Sequence, residues 1–225
     1  MNAPHTTPYV KRRAALAQKM NAAGGGVAVV PTAPERQRNR DSDFPYRHDS
    51  YFYYLTGFTE PEAVAVVVAA GGTHKSILFC RPKNPEREIW DGYRYGPEGA
   101  KAAFAFDEAY SIEQLPEKMP ELLANQPALW WPFATHKGFE ENVERWLDVV
   151  RGKVRQFVSA PRAQIDLCAL VDEMRLVKDA HEIDVMRRAA QISAEAHKRA
   201  MRASKPGLRE YHLEAEILHH FRMNG

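Results

Sequence analysis

The last predicted helix of the chain carries three side chains that could hold a metal ion together. His212, Glu216 and His219 are spaced so that one face of a helix would present all of them. The step from Glu216 to His219 is the spacing used in carboxylate-bridged metal bundles. Such a site also needs matching ligands on partner helices, and no other helix repeats the pattern. A solvated helix face is therefore the favoured interpretation, and a helical-bundle metal protein stays a minor hypothesis.

A second group of candidate residues is acidic. Asp41, Asp43 and Asp49 could supply paired carboxylates for acid–base work or could hold a hard cation. Their setting among serine, proline and arginine is more typical of turns and of a structural ion pair.

Trp90 is the third candidate, in a segment that also contains glycine and charged residues. A tryptophan in this setting could form one wall of a binding pocket, and core packing is the alternative. The sequence contains no ordered Ser/His/Asp set, no His-Glu-x-x-His motif and no Cys-x-x-Cys pair. The residues alone therefore predict no complete active site.

Composition excludes several classes of protein. The chain has 225 residues, of which 44% are hydrophobic and 27% charged, as in ordinary soluble proteins. A net charge of +2, without a clustered basic face, argues against nucleic acid as a partner. The longest apolar run, residues 63–70, is too short to span a membrane, and the N-terminal segment lacks the apolar stretch of a secretory signal. Cys80 and Cys168 lie far apart, which favours a reduced, cytoplasmic protein with two buried thiols.

Strands and helices alternate in the part of the chain that would position these residues, which predicts an α/β layer architecture. The aromatic-rich segment 39–68 is predicted as a loop and strand wedged into the sheet, with a turn at Thr56 and Gly57. Further strands are predicted at 27–30, 63–70, 76–81, 88–90, 129–131 and 154–158, and helices at 9–20, 111–124 and 139–150.

After Pro161 the pattern becomes helical, from residue 165 to residue 223, with breaks near residues 178 and 206. Asp179 and Glu182 have the spacing of a capping box at the start of one helix. Two helices without a sheet cannot bury both of their apolar faces, so this second unit is predicted to be incomplete.

Several separated blocks of the sequence resemble the bacterial Xaa-Pro aminopeptidases (aminopeptidase P). The matching blocks are residues 43–47, 49–58, 60–63, 88–90, 172–178 and 209–217. The resemblance implies that residues 1–172 form an α/β domain with a mixed β-sheet and flanking helices, similar to the N-terminal domains of creatinase and prolidase. It implies that residues 173–225 are the helical start of a truncated pita-bread α+β domain.

The same resemblance implies an enzyme that removes an N-terminal residue preceding proline, with the help of two divalent metal ions, usually manganese. The metal ligands of that family lie beyond its opening helices, and no residue of this chain matches them. His212 and His219 do not correspond to the metal histidine of the family. We therefore expect the chain to be an N-terminal portion of such an enzyme that is inactive alone.

The resemblance also implies a functional role for each of two residues. Trp90 matches a tryptophan that reaches a neighbouring subunit's active site and helps to close the substrate pocket. Arg155 resembles a second inter-subunit contact at that site. The implied partners are peptides with proline at the second position and further copies of the same chain, and neither nucleic acid nor a membrane. The alternative function is a non-catalytic oligomerisation or interaction module of the same fold.

Overall fold

The computed structural model describes residues 6–225, which form two compact units. The first unit extends to Met174 and the second comprises Arg175–Gly225. Residues 1–5, the beginning of the segment expected not to be a secretory signal, lie outside the described residues. The assignment of residues 1–172 and 173–225 to two domains stays a prediction.

The first unit is built on a mixed sheet of six strands. The strands are β1 (Gly26–Pro31), β2 (Val64–Ala70), β3 (Thr73–Cys80), β4 (Glu108–Ser111), β5 (Ala128–Trp131) and β6 (Ala163–Asp166). Their spatial order is β4-β3-β2-β1-β5-β6. The β1/β2 and β2/β3 pairs are antiparallel, whereas β1/β5, β3/β4 and β5/β6 are parallel. The predicted mixed sheet with flanking helices is confirmed.

Nine α-helices surround this sheet or follow it within residues 6–225. They are α1 (Thr7–Ala22), α2 (Ser50–Thr56), α3 (Pro85–Asp91), α4 (Gly96–Phe104), α5 (Leu115–Leu123), α6 (Phe139–Arg151), α7 (Cys168–Leu176), α8 (Ala180–Ala203) and α9 (Glu210–Met223). The last two belong to the second unit. The predicted capping box at the start of α8 is confirmed, because Asp179 accepts a hydrogen bond from the Glu182 N–H at 2.8 Å and Glu182 accepts one from Asp179 at 3.0 Å.

Helices cover both faces of the sheet because successive side chains of each strand point to opposite sides. Ala28 and Val30 of β1 belong to one apolar cluster, which also contains side chains from α1, α2, α4 and α7. Val27 and Val29 belong to the other cluster, together with side chains from α5 and α6. The first unit is therefore a three-layer α/β/α structure.

Five of the six strands end at the same edge of the sheet. The strand registers place the last residues of β1, β3, β4, β5 and β6, and the first residue of β2, along this edge, which we call the carboxyl edge. Ligands of open α/β sheets bind preferentially outside the carboxyl ends of strands. Helix α3 follows β3 at this edge. The residues that precede β6 lie at the opposite edge, where Asn125 and Ser159 bond to each other.

The prediction of a loop and strand before Gly57 is wrong, because residues 50–56 form helix α2. The Asp49 carboxylate caps the helix by accepting hydrogen bonds from the N–H groups of Tyr51 at 2.7 Å and Phe52 at 2.9 Å. Gly57, with φ of +69°, ends it in the left-handed conformation typical of a helix C-terminus. The predicted turn at Gly57 is therefore correct, and the segment before it is helical.

Two further strand predictions are wrong. Residues 88–90 lie in helix α3, because the Asn84 side chain caps its first turn and Pro85 occupies a position that favours a helix start. Residues 154–158 contain a 3-10 turn, Val154–Gln156, followed by Phe157 at a φ of +60°. The last strand is β6, which the prediction of a purely helical region from residue 165 onward overlooked.

Candidate functional site

An arm of residues 83–95 presents Trp90 at the carboxyl edge of the sheet, and we call it the Trp90 arm. Trp90 is 84% exposed, whereas Trp130, Trp131 and Trp146 are buried. Its neighbour Ile89 is also exposed, at 78%. Large apolar side chains exposed side by side on one short helix are typical of a contact surface. The interpretation of Trp90 as a core residue is therefore wrong.

The first half of the Trp90 arm is held by its own capping contacts. The Asn84 side chain accepts a hydrogen bond from the Arg87 N–H at 3.1 Å. The Glu88 carboxylate accepts one from Lys83 Nζ at 3.3 Å and a longer one from the Asn84 N–H at 3.4 Å. These contacts fix helix α3, from which Trp90 extends.

The second half of the arm folds back on the first. Lys83 Nζ lies 3.7 Å from the centre of the Tyr93 ring, in cation–π geometry. The Tyr93 ring meets the Tyr95 ring edge to face, with centroids 5.2 Å apart. Arg94 donates a hydrogen bond to the Asp91 carboxylate at 2.7 Å. The two ends of the arm are therefore joined, and the residue that follows Trp90 is held by an ion pair.

A buried charged cluster lies beneath the arm. Glu60, Arg81 and Arg94 are each more than nine-tenths buried. Glu60 Oε1 accepts a hydrogen bond from the Tyr95 N–H at 2.8 Å. Burial raises the pKa of Glu60, although the Tyr95 N–H and the positive charges of Arg81 and Arg94 act in the opposite direction. The cluster thus connects the end of the Trp90 arm to the sheet.

Arg155 lies in the 3-10 turn before β6 and is exposed. That turn is at the edge opposite the Trp90 arm, so the structure does not bring Trp90 and Arg155 together within one chain. The sequence resemblance implies that both residues contact an active site between subunits. Within one copy of the fold they face different surroundings, and both roles stay predictions.

Sequence reasoning missed Phe157, next to this turn. Its side chain is 96% exposed and its backbone is in the left-handed region, which is uncommon for a bulky residue. Val154 is 68% exposed beside it. The signal for a turn was present in Gly152 and in the polar pair that precedes Phe157, but the apolar residues suggested a buried strand.

The acidic candidates do not form a carboxylate pair. Asp41 and Asp43 are exposed, and the turn at Asp41 is organised by the Asn39 side chain. Asp49 caps α2, and its Oδ2 lies 3.2 Å from Nε2 of His136. Burial opposes the charge on Asp49, but the hydrogen bonds from His136 and from the start of α2 outweigh it and lower the pKa of Asp49. The predicted turn is confirmed at Asp41, whereas the partner of Asp49 is a histidine, which is charged only when protonated, so the structural ion pair stays a prediction.

A cleft of about 510 Å³ opens at the carboxyl ends of β1 and β5. Its walls are mainly apolar and include Pro31, Val64, Leu115 and Phe139. Thr32, which lines the cleft, bonds to the Tyr46 hydroxyl at 2.9 Å, and the Tyr46 hydroxyl donates to the Ala33 carbonyl at 3.1 Å. The lining also includes the charged side chains Glu35, Glu62 and Lys137.

The histidine face of α9 does not form a metal site. Arg199 donates a hydrogen bond to Glu216 at 3.0 Å, and the same nitrogen lies 3.4 Å from the His219 ring. His212 accepts a hydrogen bond from the Arg209 N–H at 3.0 Å. Among residues 6–225, no group of three or more His, Cys, Asp or Glu side chains could hold a metal ion. The helical-bundle metal hypothesis lacks its ligand set, and so does the two-metal centre implied by the resemblance.

No helix within residues 6–225 combines the length and the apolar character needed to cross a membrane.

Comparison with known families gives two matches. Residues 9–130 match the family described as aminopeptidase P, N-terminal domain. Residues 184–225 match metallopeptidase family M24. The first match covers more than half of the chain and includes the whole Trp90 arm.

The individual relatives that match this chain are named as Xaa-Pro aminopeptidases. The chain is 39% identical to the Xaa-Pro aminopeptidase of Escherichia coli over 218 residues, which are 96% of this chain and 49% of the relative. It is 30% identical to Xaa-Pro aminopeptidase 3 of Homo sapiens, over 88% of this chain and 39% of the relative. The chain therefore spans about half the length of the first of these relatives and less of the second.

Solved structures agree with the sequence matches. The structure of Pseudomonas aeruginosa aminopeptidase PepP superposes with a TM-score of 0.93 at 41% identity, covering 100% of this chain and 50% of that chain. A zinc-substituted E. coli aminopeptidase P in complex with product superposes with a TM-score of 0.93 at 36% identity, covering 100% of this chain and 51% of that chain. This chain therefore has the fold of about half of each of these structures.

Proposed function

Because this chain belongs to the aminopeptidase P family, we propose that it is the N-terminal portion of a metal-dependent Xaa-Pro aminopeptidase. The complete enzyme would release an N-terminal residue that precedes proline. The single observation that carries the proposal for this chain is Trp90, an 84% exposed tryptophan on an arm whose two ends are tied together. An exposed and well-supported aromatic side chain is suited to meeting a ligand or a partner.

We propose that the reaction requires two divalent metal ions, manganese in the physiological case, whose ligands lie outside this chain. Among residues 6–225 no group of three or more His, Cys, Asp or Glu side chains could hold a metal ion, which is consistent with ligands in another part of the protein. Bound metal would supply an activated water and would polarise the scissile carbonyl. The contribution of this chain would be to shape and close the substrate pocket.

Trp90 would act in the active site of a neighbouring copy as an apolar wall for the proline ring. A pyrrolidine ring is apolar and its nitrogen carries no proton in a peptide bond, so a flat indole face complements it better than a hydrogen-bonding group. Arg155 would make the second contact at an active site. Its place at the opposite edge from Trp90 is consistent with contacts made through assembly of a homo-oligomer.

Kinetics of Trp90→Ala test this proposal in a version of the protein that includes the catalytic half found in its relatives. We expect KM for an Xaa-Pro peptide to rise at least about tenfold, because loss of a buried aromatic contact costs about 1.5–3 kcal/mol and each 1.4 kcal/mol is a factor of about ten. Bound metal should stay unchanged, since Trp90 is not a ligand. Trp90→Phe, which keeps an aromatic face, is the matched control and should lose less affinity. Unchanged KM in Trp90→Ala would remove Trp90 from the site.

Exposed apolar residues at both edges, Ile89 and Trp90 at one and Phe157 at the other, also favour the alternative of a non-catalytic oligomerisation or interaction module. Such a module would assemble without affecting peptide turnover. Assembly that depends on Trp90, combined with unaltered peptide kinetics, would support this alternative over the enzyme.

We also propose a cytoplasmic protein whose partners are peptides with proline at the second position. Both cysteines are free, with Cys80 buried and Cys168 half-buried. Burial raises the pKa of Cys80 to about 12 and that of Cys168 to about 11, so both thiols stay protonated and unreactive at neutral pH. Cysteines that form no disulfide are typical of a protein in a reducing compartment.

A further inference from the structure

We propose that Glu60 is a positioning residue for Trp90: its buried carboxylate fixes the end of the Trp90 arm and thereby sets where the indole meets substrate. Glu60 lies outside the arm, between α2 and β2, and its hydrogen bond goes to the Tyr95 backbone and not to Trp90. Its influence would therefore be indirect. The inference rests on the proposed role of Trp90 in the substrate pocket.

The first step of the connection is a direct hydrogen bond. Glu60 Oε1 accepts from the Tyr95 backbone N–H at 2.8 Å. Tyr95 is the last residue of the arm and immediately precedes helix α4, which has no side-chain cap of its own. Its ring is held between the rings of Phe58 and Phe104, with centroids 6.1 Å and 5.0 Å away. Glu60 thus fixes the backbone at a point where the aromatic core fixes the side chain.

The second step runs through charge. Arg94, next to Tyr95, is buried beside Glu60, and its positive charge favours the ionised form of that carboxylate. The same guanidinium donates to Asp91 at 2.7 Å. Asp91 is the last residue of α3 and directly follows Trp90. Glu60 is therefore connected to the residue beside the indole by two hydrogen bonds, one to the Tyr95 N–H and one from Arg94 to Asp91, with the Arg94–Tyr95 peptide bond between them.

Because this cluster is buried, loss of one charge from it is expected to destabilise the arm. Glu60, Arg81 and Arg94 are more than nine-tenths buried, and the positive charges of both arginines favour the ionised form of Glu60. Removal of the Glu60 charge would leave Arg81 without this nearby negative charge, whereas Arg94 would keep its ion pair with Asp91. An uncompensated buried charge is costly, and a chain avoids that cost by opening locally toward water. The segment free to open is the arm, because its tip is exposed while β3 and α4 are packed in the core.

Glu60→Gln is the informative variant. Glutamine keeps an oxygen that can accept the Tyr95 N–H and has almost the same size, but it carries no charge. In the protein that includes the catalytic half, we expect KM for an Xaa-Pro peptide to rise about fivefold, with kcat changed less than twofold, because a small displacement of a contact residue weakens substrate binding. Glu62→Gln is the matched control: the same change two residues away, at an exposed side chain, should leave KM unchanged.

A double-mutant cycle separates positioning from a general structural effect. If Glu60 acts through Trp90, Glu60→Gln should raise KM in the wild-type background and have almost no effect in the Trp90→Ala background. Equal effects in both backgrounds would show that Glu60 acts independently of Trp90, and this would overturn the inference.

Hydrogen–deuterium exchange gives a readout that does not depend on activity. We expect amides of residues 84–92 to exchange faster in Glu60→Gln, while those of β2 and β3 keep their protection. Faster exchange throughout the first unit, or unaltered exchange in the arm, would contradict a positioning role.

The outcomes distinguish this inference from the proposed function. A raised KM in Trp90→Ala, together with unaltered KM and arm exchange in Glu60→Gln, would overturn the inference and leave the proposed function in place. Unaltered kinetics in Trp90→Ala would overturn the proposed role of Trp90 and the positioning role of Glu60 with it. We expect the KM effects of Glu60→Gln and Trp90→Ala to be coupled in the double-mutant cycle, and the faster amide exchange in Glu60→Gln to be confined to the arm.

Discussion

Two aromatic side chains, Trp90 and Phe157, are largely exposed in different kinds of local structure. Trp90 lies on a capped helix whose neighbours are tied by ion pairs and ring contacts. Phe157 lies in a left-handed backbone conformation after a 3-10 turn. The helix that carries Trp90 requires no unfavourable backbone conformation, whereas the left-handed backbone of Phe157 is strained. Strain retained at an exposed position leads to a hypothesis of function, since folding alone does not require it.

Iodide quenching should report Trp90 selectively. Of the four tryptophans, only Trp90 is exposed, so the 225-residue chain should show a minor quenchable fraction of its fluorescence and a major protected fraction. Trp90→Phe should abolish the quenchable fraction, whereas Trp146→Phe should reduce only the protected emission. A quenchable fraction that persists in Trp90→Phe would show that another tryptophan is accessible.

Phe157→Asn should stabilise the chain. A non-glycine residue in the left-handed region costs roughly 1–2 kcal/mol, and asparagine tolerates that region better than phenylalanine. We expect the free energy of unfolding, measured by urea denaturation, to rise by about 0.5–1 kcal/mol. Phe44→Asn is the matched control, because Phe44 is also exposed but has no positive φ, and it should give no gain. A loss of stability in Phe157→Asn would show that the phenylalanine ring makes a stabilising contact.

At the scale of elements, helix α2 shows how a seven-residue helix is fixed at both ends. Asp49 caps its start and pairs with His136, which follows β5. Gly57 ends it, where a Cβ atom would lie 2.5 Å from the Tyr9 ring of α1. Isolated helices of this length are unstable in water, so these end contacts and burial of Phe52 and Leu55 are what hold α2 in place.

Removal of the Asp49 cap should destabilise the first unit. Asp49→Ala is expected to lower the free energy of unfolding by about 1–2 kcal/mol, because two backbone N–H groups and His136 lose their partner. Asp41→Ala, at an exposed acidic residue that does not cap a helix, should change it by less than about 0.5 kcal/mol. Urea denaturation at neutral pH measures both, and equal effects would contradict the role of the cap.

The charge on Asp49 should make part of this stability pH-dependent. The pKa of Asp49 is lowered in the folded chain, so its contribution is present above the unfolded value, near 3.9, and is lost as pH falls through the folded value. The stability difference between wild type and Asp49→Asn should therefore be constant above about pH 5 and shrink over the range below about pH 4. A difference that stays constant over that range would show that the charge does not contribute.

Gly57→Ala should be more harmful than a typical glycine substitution. The new Cβ would meet the buried Tyr9 ring and also require a left-handed backbone, together costing about 2–4 kcal/mol. Gly71→Ala is the matched control, since its φ is also positive but no atom lies within 4 Å of the added Cβ. It should cost about 1 kcal/mol in thermal unfolding, and equal losses at the two positions would contradict the close approach of Tyr9.

At the scale of the whole molecule, the strongly apolar elements were predictable from sequence. The hairpin of β2 and β3, the strands β1 and β5 and the amphipathic helix α6 all follow from apolar periodicity and glycine or proline boundaries. Short elements with aromatic or mixed composition were not. The sequence of helix α2 suggests a strand because aromatic residues favour strands. Its helical conformation depends on the cap at Asp49.

The candidate site was predictable only in part. Trp90 could be singled out by type and by resemblance, but its exposure depends on the fold of the arm. The cluster under that arm unites Glu60, Arg81 and Arg94, which are distant in sequence. Glu60 lies in a block that resembles the family, but nothing in the sequence pairs it with the two arginines, so burial of the three charges together was not predicted. Strand β4 and helix α4 were also missed, since the glycine-containing segment before them suggested a loop.

The central claim is that this chain shapes a substrate pocket whose metal-dependent chemistry lies elsewhere in the protein. Manganese-dependent release of the first residue from an Xaa-Pro peptide tests it most directly. The assay should be run on the 225-residue chain and on the same chain joined to the catalytic half found in its relatives. We predict release only by the joined protein, with a raised KM in its Trp90→Ala variant. Release by the 225-residue chain alone would contradict the claim.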